Sequence, residues 1–272
     1  MIQKKAIVTT FNQSGYDKYG SKMIQTFIQN WPTDVILYVY AEDCTVKESA
    51  VNVVVKDLHA TIPALVAFKE RWKNDPKAVG KLAIGPVDRK GKQPGIGFRW
   101  DAIRFSHKVY SVCHTGLTCD ADVLFWMDAD TVCHSPITHE FIDSMIKNNG
   151  LCFLGRPNKY TECGLYAMNL RDTITKQFLI EFQKAYDTGR LFTMQEWNDC
   201  WVFDEVRKEL KQKNPQWTWN DWCQGIIKGE GHPLINTEWG AYLDHLKGER
   251  KTLGRSKPKD LKIQRTEKYW KS

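Results

Sequence analysis

Apolar residues in this chain fall into short uninterrupted runs separated by amphipathic stretches. Lys5–Phe11, with Ala6–Val8 apolar on successive positions before small polar residues, and the apolar run Val35–Tyr40 show the pattern of strands buried on both faces. Between them, Tyr19–Trp31 sets Met23, Phe27 and Ile28 at helical spacing. Strand, helix, strand is the unit that builds a parallel sheet. Three further segments continue the alternation: a helix over Phe98–Lys108, then strands at Val123–Met127 and Leu151–Pro157. The pattern predicts an α/β fold, a Rossmann-like nucleotide-binding mixed sheet flanked by helices.

In open α/β sheets ligands gather beyond the carboxyl ends of the strands, which directs attention to the residues just past Met127. Asp128, Ala129 and Asp130 stand there, two carboxylates offset by one residue, a pairing able to grip a hard divalent cation. A second pair, Asp120 and Asp122, leads into the strand instead and reads as a solvated turn. A turn with Asx-type side-chain bonding is also the plain structural alternative for Asp128 and Asp130. Far downstream, His245, Gly248 and Lys251 supply an imidazole to complete a metal shell, a glycine that admits a diphosphate, and a cation against its charge. Together they describe a site for a metal and a nucleotide-sugar. Gly95 and Gly97 do not make a dinucleotide fingerprint, because the third glycine and the preceding strand are missing.

An upstream D-x-D with a late H-x-x-G-x-x-K resembles glycosyltransferase family 8 and its relatives, GT-A enzymes that use UDP-sugars, in a phage or bacterial setting. The resemblance implies Mn²⁺ (or Mg²⁺) on Asp128, Asp130 and His245, with Ala129, Gly248 and Lys251 against the nucleotide-sugar. The Pro-Trp usual after the lysine is replaced by Thr252 and Leu253. Thr9, Thr10 and Phe11 would border the nucleobase, or be ordinary strand-end residues. Arg104 is the best match for a basic helix residue that reaches the donor, with Arg99, Asp101 and Lys108 competing. Glu162, Cys163 and Gly164 stand where the family has Asn-Ala-Gly against the donor sugar, so the sugar preference is expected to differ. Asp199, with Asn198 second, falls where relatives place an acid or amide beside the reacting centre; both residues also suit a helix N-terminus. The resemblance further suggests transfer of a hexose to an acceptor hydroxyl with retention of configuration, or with inversion if Asp199 acts as a general base opposite the leaving group.

Composition sets the limits. At 272 residues with 42% hydrophobic side chains, the chain can bury a full α/β core as one domain, taken as 1–255. No apolar stretch reaches membrane-spanning length and no signal peptide is evident. Eight cysteines without a C-x-x-C pair suggest buried, reduced thiols and a cytoplasmic location, peripheral at most to an anionic surface. Charge is uneven. Residues 247–272 hold ten Lys/Arg against three acids, an excess equal to the net charge of the whole chain, +7. Residues 69–99 hold nine against three and are rich in Gly and Pro, predicting a long basic loop. This loop and a basic tail over 256–272 suit a polyanionic partner or simple solubility. The acceptor is thus either a saccharide, such as a surface glycan, or a hydroxymethylated base of phage DNA. A non-catalytic binding protein is the reading the two half-sites disfavour.

Overall fold

The computed structural model describes residues 3–81, 97–157, 159–225 and 232–271. Seven strands form its central sheet: β1 (Lys5–Asn12), β2 (Ile36–Glu42), β3 (Val53–Asp57), β4 (Val123–Met127), β6 (Leu151–Leu154), β7 (Glu162–Asn169) and β8 (Trp219–Asp221). Their order across the sheet is β3-β2-β1-β4-β7-β6-β8. β1 runs parallel to both β2 and β4, whereas β7 runs antiparallel to β4 and β6. A separate antiparallel pair joins β5 (Thr131–Cys133) to β9 (Leu243–His245). The predicted α/β class, with a mixed and mainly parallel sheet flanked by helices, is what the chain forms.

The runs without alternation are the middle strands, because helices cover both faces of the sheet. Successive residues of one strand therefore enter different cores. Ala6, Val8, Leu124 and Trp126 join the cluster under the helices Ala102–Thr118, Thr173–Asp187 and Asp199–Lys213. Ile7, Val123, Phe125 and Met127 join the other, under Ser21–Asn30 and His139–Ile146. A side chain such as Phe125, wholly buried, contributes about 1.5–3 kcal/mol by leaving water.

Helix boundaries shift from the sequence expectation for local reasons. The helix expected over Tyr19–Trp31 is preceded by a π-helical turn, Tyr16–Gly20, and ends at Asn30. The helix expected over Phe98–Lys108 opens as a 3₁₀ turn, restarts at Ala102 and continues to Thr118. Asp101 restarts it by accepting a hydrogen bond from the Arg104 amide at 3.1 Å, an N-cap that satisfies one of the open donors.

The two basic stretches differ from the expected pair of arms. Of residues 69–99, those at 82–96, including Gly85, Pro86, Gly91 and Pro94, lie outside the described residues. Lys69–Trp72 is not loop but the end of the helix Pro63–Trp72. Residues 256–271 lie against the domain. Arg265 donates to the carbonyls of Ile235 and Thr237, and Trp270 Nε1 donates to the Gly240 carbonyl at 2.8 Å. Tyr269 stacks on His134 with ring centroids 3.9 Å apart. Much of the local positive charge is answered internally, Arg250 by Asp260 and Lys257 by Glu249. Among the described residues no helix is long and apolar enough to cross a membrane.

Candidate functional site

Two pairings assemble the site. The antiparallel run of β7 beside β4 pairs Met127 with Leu165, so the first residues of β7 lie at the carboxyl end of β4. The Asp128 amide closes this corner by donating to the Gly164 carbonyl at 2.8 Å. β5 turns back immediately after Asp130 and pairs with β9, setting Thr131 opposite His245. The Leu246 amide then donates to the Asp130 carbonyl at 2.8 Å. Residues 115 positions apart thus meet through backbone ladders.

His245 Nε2 lies 2.9 Å from Asp130 Oδ1 and 3.4 Å from Asp128 Oδ2. Glu162 adds a third carboxylate; ligand atoms of Asp128, Glu162 and His245 all fall within 4.8 Å of one another. Lysines face the outer sides of these acids: Lys247 contacts Glu162, and Lys251 Nζ is 3.0 Å from Asp130 Oδ2. Ligands held at right angles around an ion about 2.1 Å away stand roughly 3 Å apart, so these separations suit a shared divalent cation. Carboxylates with one imidazole are also the donor chemistry that Mn²⁺ and Mg²⁺ accept.

The electrostatics are those of dense, buried ion pairing. Burial alone would raise the Asp128 carboxyl, but Lys108 and then His245 hold it well below the usual range. Burial raises Glu162 too, and Lys247 followed by His245 brings it down to about 2. Burial, the largest single influence, lowers His245, yet Asp130 and Asp128 together outweigh it and push the imidazole up to about 9. A metal at this position would exchange with that proton.

Lys108 is the residue the sequence ranked too low. It stands four positions after Arg104 on the same helical face, and both line the cleft. Its ammonium sits 2.9 Å from Asp128 Oδ1 and 2.8 Å from Asp199 Oδ2, and also donates to the Cys163 carbonyl. Arg104 makes no such bridge among the described contacts. Lys247 and Glu162 were also missed as charged members of the cluster. Spacing could not find them, since their proximity depends on β7 and β9 converging.

Around this cluster opens a cleft of about 1010 Å³. Thr10, Phe11, Arg104, Asp128, Ala129, Asp130, Cys163, Asn198, Asp199, His245, Gly248 and Lys251, all singled out in the sequence, line it. Thr9 does not line it: as an inner residue of β1 it is fully buried. Gly164 lies behind the lining, against His245. Gly248 holds φ +58 with open space around its Cα, so backbone conformation is the constraint there. Asn198 caps the helix Asp199–Lys213 by accepting from the Trp201 amide at 2.9 Å. Cap and cleft wall are therefore one segment. Cys163, Cys200 and Asp199 form a second, softer group of donors beside Lys108. The upstream pair sits at the opposite end of β4, Asp120 on Lys4 and Asp122 on Arg171.

By sequence, no family model and no curated protein matches the chain. Solved structures to which it is similar include the WbbM bifunctional glycosyltransferase in its apo structure, at 12% identity and a TM-score of 0.45 over 76% of this chain and 38% of that one. Mouse xyloside xylosyltransferase 1 in its apo form aligns at 9% identity and 0.47, over 80% of this chain and 84% of that one. The glycosyltransferase GlyE of Streptococcus pneumoniae TIGR4 aligns at 10% identity and 0.43, over 80% and 45%. The chain therefore spans less than half the length of the first and third of these proteins.

Proposed function

We propose that the chain is a metal-dependent glycosyltransferase of GT-A type that moves a hexose from a UDP-sugar to a saccharide hydroxyl. The observation that carries this reading is the convergence of Asp128, Asp130, Glu162 and His245 at the carboxyl end of β4, rimmed by Lys247 and Lys251. Three acids would be a poor place for a diphosphate by themselves. Asp128, Asp130 and His245 would hold a divalent ion, which would neutralise the two aspartates and supply Lewis-acid stabilisation to the diphosphate.

The chain's own residues do the rest. Lys251 and the open backbone at Gly248 offset charge on the departing nucleotide. Thr10 and Phe11, at the end of β1, border the base. Cys163 and Glu162 occupy the wall against the donor sugar. Asp199 is held by Lys108 within the same ion-pair network as Asp128, which suits a carboxylate that positions or stabilises the sugar during retaining transfer. Its N-terminal place on a 15-residue helix keeps it fixed.

The test is a screen of UDP-sugars for UDP release with Mn²⁺, run with oligosaccharide acceptors and separately with hydroxymethylated DNA. Release stimulated by an oligosaccharide supports the proposal. No release from any donor with any divalent ion overturns it, and stimulation by DNA alone moves the acceptor to nucleic acid.

A further inference from the structure

Cys163 lies at the start of β7 and Cys200 in the first turn of the helix Asp199–Lys213, yet the two thiols meet. Their Sγ atoms and a carboxylate oxygen of Asp199 all lie within 4.8 Å of one another. Both thiols are free. Cys163 and Asp199 are buried, Cys200 is half-buried, and all three line the cleft. Among the described residues this is the one such cluster of metal-binding side chains that contains thiols.

Its dimensions suit a tetrahedral ion. With sulfur about 2.3 Å and oxygen about 2.0 Å from Zn²⁺, tetrahedral angles set sulfur and oxygen about 3.5 Å apart and two sulfurs about 3.8 Å apart. Cys200 Sγ stands 3.7 Å from Asp199 Oδ1, to which it donates. Three protein ligands with the fourth position facing a cleft make an open, exchangeable site rather than a closed structural one. Thiolates also sort the metals. They take Zn²⁺ and its soft relatives, and leave Mn²⁺ and Mg²⁺ to the carboxylates around His245.

Lys108 ties the two groups of donors together. Its ammonium hydrogen-bonds Asp128 Oδ1 and the Cys163 carbonyl, whereas it meets Asp199 Oδ2 at 2.8 Å as an ion pair without a hydrogen bond. Asp199 is therefore the partner that an ion can take over while Lys108 keeps the other two.

We propose that Cys163, Asp199 and Cys200 form a second, inhibitory site for a thiophilic divalent cation of the Zn²⁺ class. The two thiol protons leave to solvent as the ion binds. Once bound, it takes Asp199 from Lys108 and fills the wall beside the donor-sugar position. The metal site stands independently of the glycosyl-transfer reading above; the inhibition rests on that reading.

The experiment titrates the reduced full chain with Cd²⁺, followed by thiolate-to-metal charge transfer in the ultraviolet and by calorimetry. The wild type should bind one Cd²⁺ with the band of two thiolates, and Zn²⁺ should displace it. Cys200→Ser, a near-isosteric change at a partly exposed position, should weaken binding by about 100-fold or more, beyond the usual cost of disturbing an outer contact. Cys163→Ala removes the other thiolate and should do the same, and circular dichroism shows that each variant is folded. Asp130→Ala should keep the band, because that carboxylate belongs to the other site. Absence of the band, or wild-type affinity in both cysteine variants, overturns the proposal. UDP release is measured in parallel in excess Mn²⁺. One equivalent of bound Cd²⁺ should cut it at least about tenfold in the wild type, and the same Cd²⁺ concentration should not inhibit Cys200→Ser. Undiminished release from the Cd²⁺-loaded wild type overturns the inhibition. The band without release from any donor removes glycosyl transfer and leaves the metal site standing.

Discussion

Gly164 makes room for His245. A Cβ built on Gly164 would stand 2.5 Å from His245 Nδ1, closer than real side chains approach, and the imidazole is fully buried with nowhere to retreat. The glycine is therefore a condition for the imidazole reaching Asp130. Gly164→Ala should leave the sheet intact, at a cost of about 1–3 kcal/mol for overpacking. It should weaken Mn²⁺ binding by roughly 10- to 100-fold, the usual effect of disturbing a residue that orients a ligand. Titration of Mn²⁺ by calorimetry or electron paramagnetic resonance checks this, and wild-type affinity in the variant would remove His245 from the ligand set.

Asp130→Ala and His245→Ala should each abolish Mn²⁺-dependent UDP release or cut it by about 10²-fold or more. Both side chains project into the cleft rather than into either core, so circular dichroism should show an intact fold. Undiminished metal-dependent turnover in either variant counts against the proposed site.

Lys108→Met should be among the most damaging single substitutions. It would leave Asp199 buried and Asp128 half-buried without their shared cation, and breaking a buried pair typically costs about 3–5 kcal/mol. Chemical denaturation measures this directly. A variant as stable as wild type would mean the ammonium is not neutralising the two acids.

Acid should destabilise the chain as pH falls from about 6.5, where histidine ordinarily titrates, to about 4. Burial lowers His134 to about 4 despite Asp244, and lowers His107 to about 4 despite Glu42. Across that window the unfolded chain binds more protons at these positions than the folded one, so stability falls with falling pH. His134→Phe keeps an aromatic ring against Tyr269 but cannot charge, and should unfold with a shallower pH dependence. An unchanged slope would exclude His134 as a source.

Truncation after Ser256 should lower thermal stability. It removes the bonds from Arg265 and Trp270 and the stack on His134, together worth on the order of 3 kcal/mol. If the truncated chain melts with the wild type, those contacts contribute nothing and the segment acts only as a basic arm.

Local pattern alone determined much of this protein. Uninterrupted apolar runs as short as Val123–Met127, alternating with helical stretches, read as strands covered on both faces, so the α/β class and the position of Asp128 and Asp130 at a carboxyl strand end were legible. So was the helix start at Asn198, because capping is a matter of four or five neighbouring residues. Charge density along the chain was legible too, but not where each charge is answered: the basic run after Lys247 meets Glu162, Asp130 and Asp260 only in three dimensions. The same holds for the choice between Arg104 and Lys108. Both share one helical face, and only the antiparallel arrival of β7 and the turn into Asp199 put two acids around Lys108 rather than Arg104. Glu162 joined the cluster for the same reason. Strand periodicity reports which residues are inside, whereas pairing partners and their direction are set by the packing of elements far apart in the chain.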